Sequence, residues 1–235
     1  MSRNPNFVIT EEVARRLGPL LPEFVFVGGC ATGLFITDPA STPVRATRDV
    51  DVIAELASYG QYAGLGERLR KQGFSEDRSE GAPVCRWTIG DMMLDVMPAS
   101  GKVLGFTNEW YAEAVKESRE FKLTSKLSIR LIGPPYFLAT KFVAFHSRGR
   151  RDFYTSHDLE DIITVVDGRE ELFGEIERAK VGVKQYLLGQ FSDLLKDEEF
   201  IESLPGNFLP DDISQERVGL VLARIKAIAA IRQSS

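Results

Sequence analysis

The chain has 235 residues, 43% of them hydrophobic and 27% charged, enough for one large domain or two small ones around apolar cores. Acids exceed bases by 34 to 29, a net charge of −5, which excludes a globally basic nucleic-acid binder and leaves only a local surface for that role. No apolar run approaches the roughly 20 residues of a membrane helix, the segment from Met1 to Asn6 lacks a hydrophobic signal core, and Cys30 and Cys85 lie in apolar runs as reduced, buried thiols would, so the expectation is a cytoplasmic protein with no membrane partner.

Along the chain, Thr10 followed by two glutamates predicts the N-cap of a short helix. Phe24 to Val27 reads as a strand running into Gly28-Gly29, and Ala31 to Phe35 as the first turns of a helix packed against it. Thr37 to Ala46, with Pro39 and Pro43, is a loop, and Thr47 to Ala54 is an acidic strand. Gln61 to Gln72 has amphipathic helical spacing and ends at Gly73, a good C-cap residue. Val84 to Ile89 and Met92 to Met97 form a hairpin turning at Gly90-Asp91, and Phe121 to Thr124 with Leu127 to Ile132 a second one. After Gly133-Pro134-Pro135 the strand signals vanish. Tyr136 to Ser147, Ser156 to Val166, Arg169 to Leu188 and Gln215 to Ile231 all have helical spacing. The pattern predicts an α+β protein: a mixed-sheet domain over residues 1–132 and a helical domain over 133–235.

The chemistry-bearing residues follow this order. In Thr47-Arg48-Asp49-Val50-Asp51-Val52 the two acids project from one face of a strand and the two valines from the other. Adjacent carboxylates repel, and a divalent cation is the usual reason to keep them together. A diglycine lets the backbone come close to another group, often a phosphate. Asp95, in the apolar run Met93-Leu94-Asp95-Val96-Met97, adds a third acid on a neighbouring strand. Taken singly, Asp-x-Asp is a surface acid pair and a diglycine is a turn; the ordered set points to a two-metal phosphoryl-transfer site. Asp49 and Asp51 would bridge the metals and Asp95 would hold the one nearer the attacking hydroxyl, with Mg2+ favoured because it takes oxygen ligands and keeps positions open for phosphate. In the helix after Pro135, Lys141 interrupts the apolar stripe of Phe137, Leu138, Phe142 and Phe145. Its ammonium either snorkels to the surface or meets triphosphate oxygens in a cleft. Asp158 and Asp161 open the next helix, behind the basic segment Arg148-Gly149-Arg150-Arg151, which is either a solvated loop or an RNA phosphate contact. His146 and His157 lack partners at ligand spacing and read as capping or packing residues.

In this order the residues resemble the nucleotidyltransferase superfamily with the DNA polymerase β-like fold, and within it the AbiEii group of toxin and abortive-infection nucleotidyltransferases, which includes the mycobacterial MenT toxins. Gly28-Gly29-Cys30-Ala31 is similar to that group's glycine motif, and Thr47-Arg48-Asp49-Val50-Asp51 to its Ser/Thr-x-Asp-x-Asp element. Lys141-Phe142-Val143-Ala144, Arg151 and His157-Asp158-Leu159-Glu160-Asp161 resemble its later Lys-x-x-Ala…Arg…Lys-Asp-x-x-Asp pattern. The resemblance spans about Phe24 to Val166. It departs from the pattern at Cys30, where a hydroxyl residue is common, at His157, where a base is usual, and in a longer loop between diglycine and acid pair.

The resemblance implies that Gly28 and Gly29 bind phosphate, Asp49 and Asp51 bind metal, Thr47 assists at the nucleotide, Lys141 holds phosphate and Asp158 completes the site. Asp161 matches the second acid of that last element and is read as nucleotide-binding. The helical domain would complete the active-site cleft. The implied activity is Mg2+-dependent transfer of NMP from an NTP to an acceptor, above all the 3′ end of a tRNA, by the toxin of a toxin–antitoxin or abortive-infection system with an antitoxin protein as partner. A small-molecule acceptor such as an antibiotic, a protein acceptor, and a non-catalytic nucleotide-binding module are the alternatives.

Overall fold

A computed structural model describes residues 5–148 and 152–232. The chain divides into two compact units, residues 1–34 with 46–133, and residues 35–45 with 134–235.

The first unit is built on a seven-stranded mixed sheet among the described residues. Its elements are α1 (Pro5–Leu17), β1 (Phe24–Val27), α2 (Gly28–Thr32), β2 (Asp49–Ala54), α3 (Tyr59–Lys71), β3 (Ser75–Glu76), β4 (Arg86–Ile89), β5 (Met92–Pro98), α4 (Gly101–Leu104), α5 (Tyr111–Lys116), β6 (Arg119–Thr124) and β7 (Leu127–Leu131). The spatial order is β3-β4-β5-β2-β1-β7-β6. β1 pairs antiparallel with β2 and parallel with β7, and β2 pairs parallel with β5. The uninterrupted apolar run of β1, Phe-Val-Phe-Val, suits its central place: every residue of it is buried. The β4–β5 hairpin turns where the sequence places it, with Gly90 at φ +56°. α3 starts at Ser58, whose hydroxyl accepts from the Gln61 N–H at 3.3 Å, and Gly73 at φ +90° follows its end.

The second unit is helical: α6 (Pro134–Ser147), α7 (His157–Gly168), α8 (Leu172–Glu177), α9 (Val181–Leu194), α10 (Glu198–Ser203) and α11 (Asp212–Ala229). Pro134 and Pro135 form the first turn of α6, where their missing N–H groups cost nothing. The Phe137, Leu138, Phe142 and Phe145 stripe is fully buried, and Phe142 meets Phe191 of α9 edge-on with centroids 5.2 Å apart. Residues 35–45 join this unit as a strap with a turn at Pro39-Ala40: the N–H groups of Thr37 and Asp38 donate to the Gly168 carbonyl at 2.8 and 2.9 Å. The Arg217 guanidinium ties Asp38 to the buried Asp167, both at 2.7 Å.

The mixed-sheet and helical α+β architecture expected from the sequence is thus present. Three local readings differ. Thr10 lies inside α1 rather than at its start, and its hydroxyl donates to the Asn6 carbonyl one turn back at 2.6 Å. The helix expected from Ala31 begins three residues earlier, at the diglycine itself. The single helix expected over 169–188 is two, α8 and α9; Lys184 caps the break by donating to the Glu177 carbonyl at 3.2 Å.

Candidate active site

The strand register of the first unit assembles a row of charged side chains. Asp51 stands beside Asp95 on parallel β2 and β5, Val27 stands beside Asp51 on β1, and Arg86 stands opposite Asp95 across the β4–β5 hairpin. Register partners share a sheet face, so Asp51, Asp95 and Arg86 project together, with Asp49 two residues along β2 on the same face. Arg86 grips Asp95 as a fork, Nε to Oδ1 at 2.8 Å and the terminal nitrogen to Oδ2 at 2.7 Å. It also reaches Asp49 Oδ2 at 3.3 Å. The Asp95 bond holds the Arg86 guanidinium above its already high ordinary pKa. Asp95 is nearly closed off, whereas the Asp49 side chain is 34% exposed.

Gly28 brings the backbone against this row. Its φ is +67°, in the left-handed region, and a Cβ built on it would lie 1.9 Å from Asp51 Oδ2. Any other residue at position 28 would displace the carboxylate. The Thr47 hydroxyl donates to Asp49 Oδ1 at 2.5 Å and fixes that side chain's orientation. The Thr47 N–H in turn donates to Asn6 Oδ1 at 2.9 Å, and the Asn6 amide reaches the Gly29 carbonyl at 3.5 Å. Asn6, fully buried on α1, therefore braces diglycine and acid strand together. Cys30 turns into the core instead: its thiol donates to the Val27 carbonyl at 3.1 Å, and burial pushes its pKa far up.

Lys141, Asp158 and Asp161 form a second group within the helical unit. Lys141 on α6 does not snorkel; it is buried, with Nζ 3.0 Å from Asp158 Oδ1 and 2.6 Å from Asp161 Oδ2. Burial alone would lower its pKa, but the charges of Asp161 and Asp158 outweigh burial and hold it above the ordinary lysine value. Ser156 caps α7, accepting from the Leu159 N–H at 3.4 Å, and so places both aspartates at the helix start. Arg148 forks onto Asp158 with both contacts at 2.9 Å. Burial would raise the Asp158 pKa; the Arg148 bond and the Lys141 charge more than offset it and hold the carboxyl below its ordinary value. Arg45, from the strap, lies 3.3 Å from Glu160 and 3.6 Å from Asp161. Of the basic segment 148–151, only Arg148 falls among the described residues.

Sequence reasoning passed over Asn6, Arg45 and Arg86. Arg86 had a readable signal: a hairpin centred between Gly90 and Asp91 pairs residues whose numbers sum to 181, and 86 + 95 = 181.

Carboxylate oxygens are the donors a hard divalent cation takes, and a partly open Asp49, with Asp51 against the Cβ-free Gly28, fits one. In the arrangement present, no group of three His, Cys, Asp or Glu side chains among the described residues forms a finished metal cluster. Arg86 stands among these acids instead.

No protein-family model matches the sequence, and no curated protein matches it. Among solved structures, JHP933 from Helicobacter pylori is similar with a TM-score of 0.50 at 11% identity, over 94% of this chain and 89% of that one. This likeness extends to the fold. An antigenic nucleotidyltransferase-like protein from Paracoccidioides brasiliensis is similar at a TM-score of 0.45 and 17% identity, over 83% of this chain and 93% of that one, too low to bear on function. No helix among the described residues is long and apolar enough to cross a membrane.

Proposed function

We propose that this chain is a nucleotidyltransferase that moves NMP from an NTP to an acceptor, with Asp49, Asp51 and Asp95 as the holders of Mg2+. The observation that carries the reading is the register that sets Asp51 beside Asp95 with the bare Gly28 backbone against them. The motif order from Gly28 to Asp161 supports it. Magnesium bound there supplies charge neutralisation at the α-phosphate and at the departing pyrophosphate. Asp49 and Asp51 would orient the cation, Thr47 holds Asp49 in place, Gly28 makes room for the Asp51 carboxylate, and the resemblance assigns Gly28 and Gly29 to the phosphate. In this reading Lys141 and Asp158 serve the nucleotide, with Asp161 beside them.

The acceptor is read from the resemblance as RNA, the 3′ end of a tRNA, with the protein acting as a toxin neutralised by an antitoxin. The test is transfer of label from each α-labelled NTP to total tRNA in Mg2+, with Asp49→Ala as the control. Metal-dependent labelling of tRNA that Asp49→Ala abolishes is the expected result. Labelling of a small molecule or protein but not tRNA would move the acceptor, and no transfer to any acceptor with any NTP would end the enzyme reading.

A further inference from the structure

We infer that Arg86 is a resident counter-ion that the divalent cation must dislodge from the acid row. The inference rests on the metal-centre reading above and adds a residue that reading lacks. Three features carry it. The guanidinium occupies both oxygens of Asp95 and one oxygen of Asp49, the same oxygens a metal would take. Its placement is not accidental, because the hairpin register puts Arg86 directly opposite Asp95. And Arg86 is itself largely shielded from solvent, its side chain 19% exposed beside Asp95.

The two contacts are unequal, and this sets the order of exchange. The Asp95 fork is short and bidentate, whereas the Asp49 contact is single and 3.3 Å long. Asp49 is also the more exposed acid. A metal approaching from solvent therefore meets Asp49 first and pushes the guanidinium off it by like-charge repulsion. Asp95 joins the metal only when Arg86 turns away entirely. In the metal-free protein the same arginine suppresses repulsion among the carboxylates. It acts as a positioning residue that raises the metal concentration at which the site fills.

The experiment uses the full chain and Mn2+ or Mg2+ alone. Calorimetric titration with Mn2+ compares wild type with Arg86→Met, and Asp49→Asn confirms that the heat comes from this row. Removing the competing cation should tighten Mn2+ binding about tenfold or more, whereas a purely structural arginine would leave it unchanged or weaken it. In parallel, the Arg86 Nε–H resonance of wild type is followed by NMR during Mg2+ titration; it should shift as the site saturates. If Arg86→Met does not fold, this wild-type measurement decides alone. Unchanged or weaker Mn2+ binding in a folded Arg86→Met, or a resonance unmoved at saturation, overturns the inference and leaves the metal centre standing. Absence of binding to wild type and variant alike, or binding that survives Asp49→Asn, overturns the metal-centre reading and the inference with it.

Discussion

Asp49 and Asp51 in the sheet unit, and Asp158 and Asp161 in the helical unit, are both aspartate pairs held on one face, by a two-residue spacing on a strand and a three-residue spacing on a helix. Their surroundings differ. Asp158 and Asp161 have side chains only 7% and 2% exposed and face Lys141 directly, with Arg148 closing over Asp158. Asp49 keeps a third of its side chain in solvent and meets Arg86 at the edge of hydrogen-bonding range. The helical pair is enclosed by its cations, whereas the strand pair keeps one acid open to solvent. The same residue type is locked in an ion-paired cluster in one place and left half open in the other, and the difference in accessibility follows from their partners.

The sharpest way to break this contrast is Lys141→Met. It strands two buried carboxylates and should cost about 3–5 kcal/mol in urea unfolding, while Asp49→Asn, at a half-open site, should cost under about 1 kcal/mol. Similar losses in both would erase the distinction. Next is Gly28→Ala, which puts a methyl where Asp51 now sits and forces a left-handed φ on alanine; a loss of about 1–3 kcal/mol is expected from thermal unfolding. Third is the pH response of the closed cluster. Asp158 has its folded pKa below the ordinary 3.8, so its stabilisation is complete above that value and disappears as pH falls through the folded one. The slope of unfolding free energy below pH 3.8 should therefore flatten in Asp158→Asn. Lys141 mirrors this on the alkaline side: its contribution is complete below 10.5 and lost as pH rises through its higher folded value. Smallest is Arg68→Ala, which removes a pair with Glu23 that is 43% exposed on both sides; no more than about 1 kcal/mol should be lost in the same melt.

The sequence made some of this legible. The apolar run of β1 ending in glycine, the Asp-Val-Asp-Val alternation of β2 and the Gly90-Asp91 turn each announce their element through local periodicity. Lys141 is visible as a charge inside an apolar stripe. What periodicity cannot supply is the partner across a long separation. Asn6 meets Thr47 from 41 residues away, and Arg45 reaches Asp161 from the strap. β3, α4 and α5 span two to six residues, too short to display a period. At the break between α8 and α9, Lys184 satisfies the Glu177 carbonyl, a contact the helical period of 169–188 does not announce.

The strap over residues 35–45 has a consequence for synthesis. Its partners Gly168, Asp167 and Arg217 emerge from the ribosome more than a hundred residues after it does. All seven strands of the sheet have been made once Leu131 is out, yet the stretch leading into β2 finds its first anchors only when α7 is made and its last, Arg217, only with α11. A chain cut off near residue 133 and released would therefore carry every strand of the sheet with a loose segment just ahead of Thr47. A protease should cut that shortened chain there first and lose the site in chains long enough to include α7 and then α11.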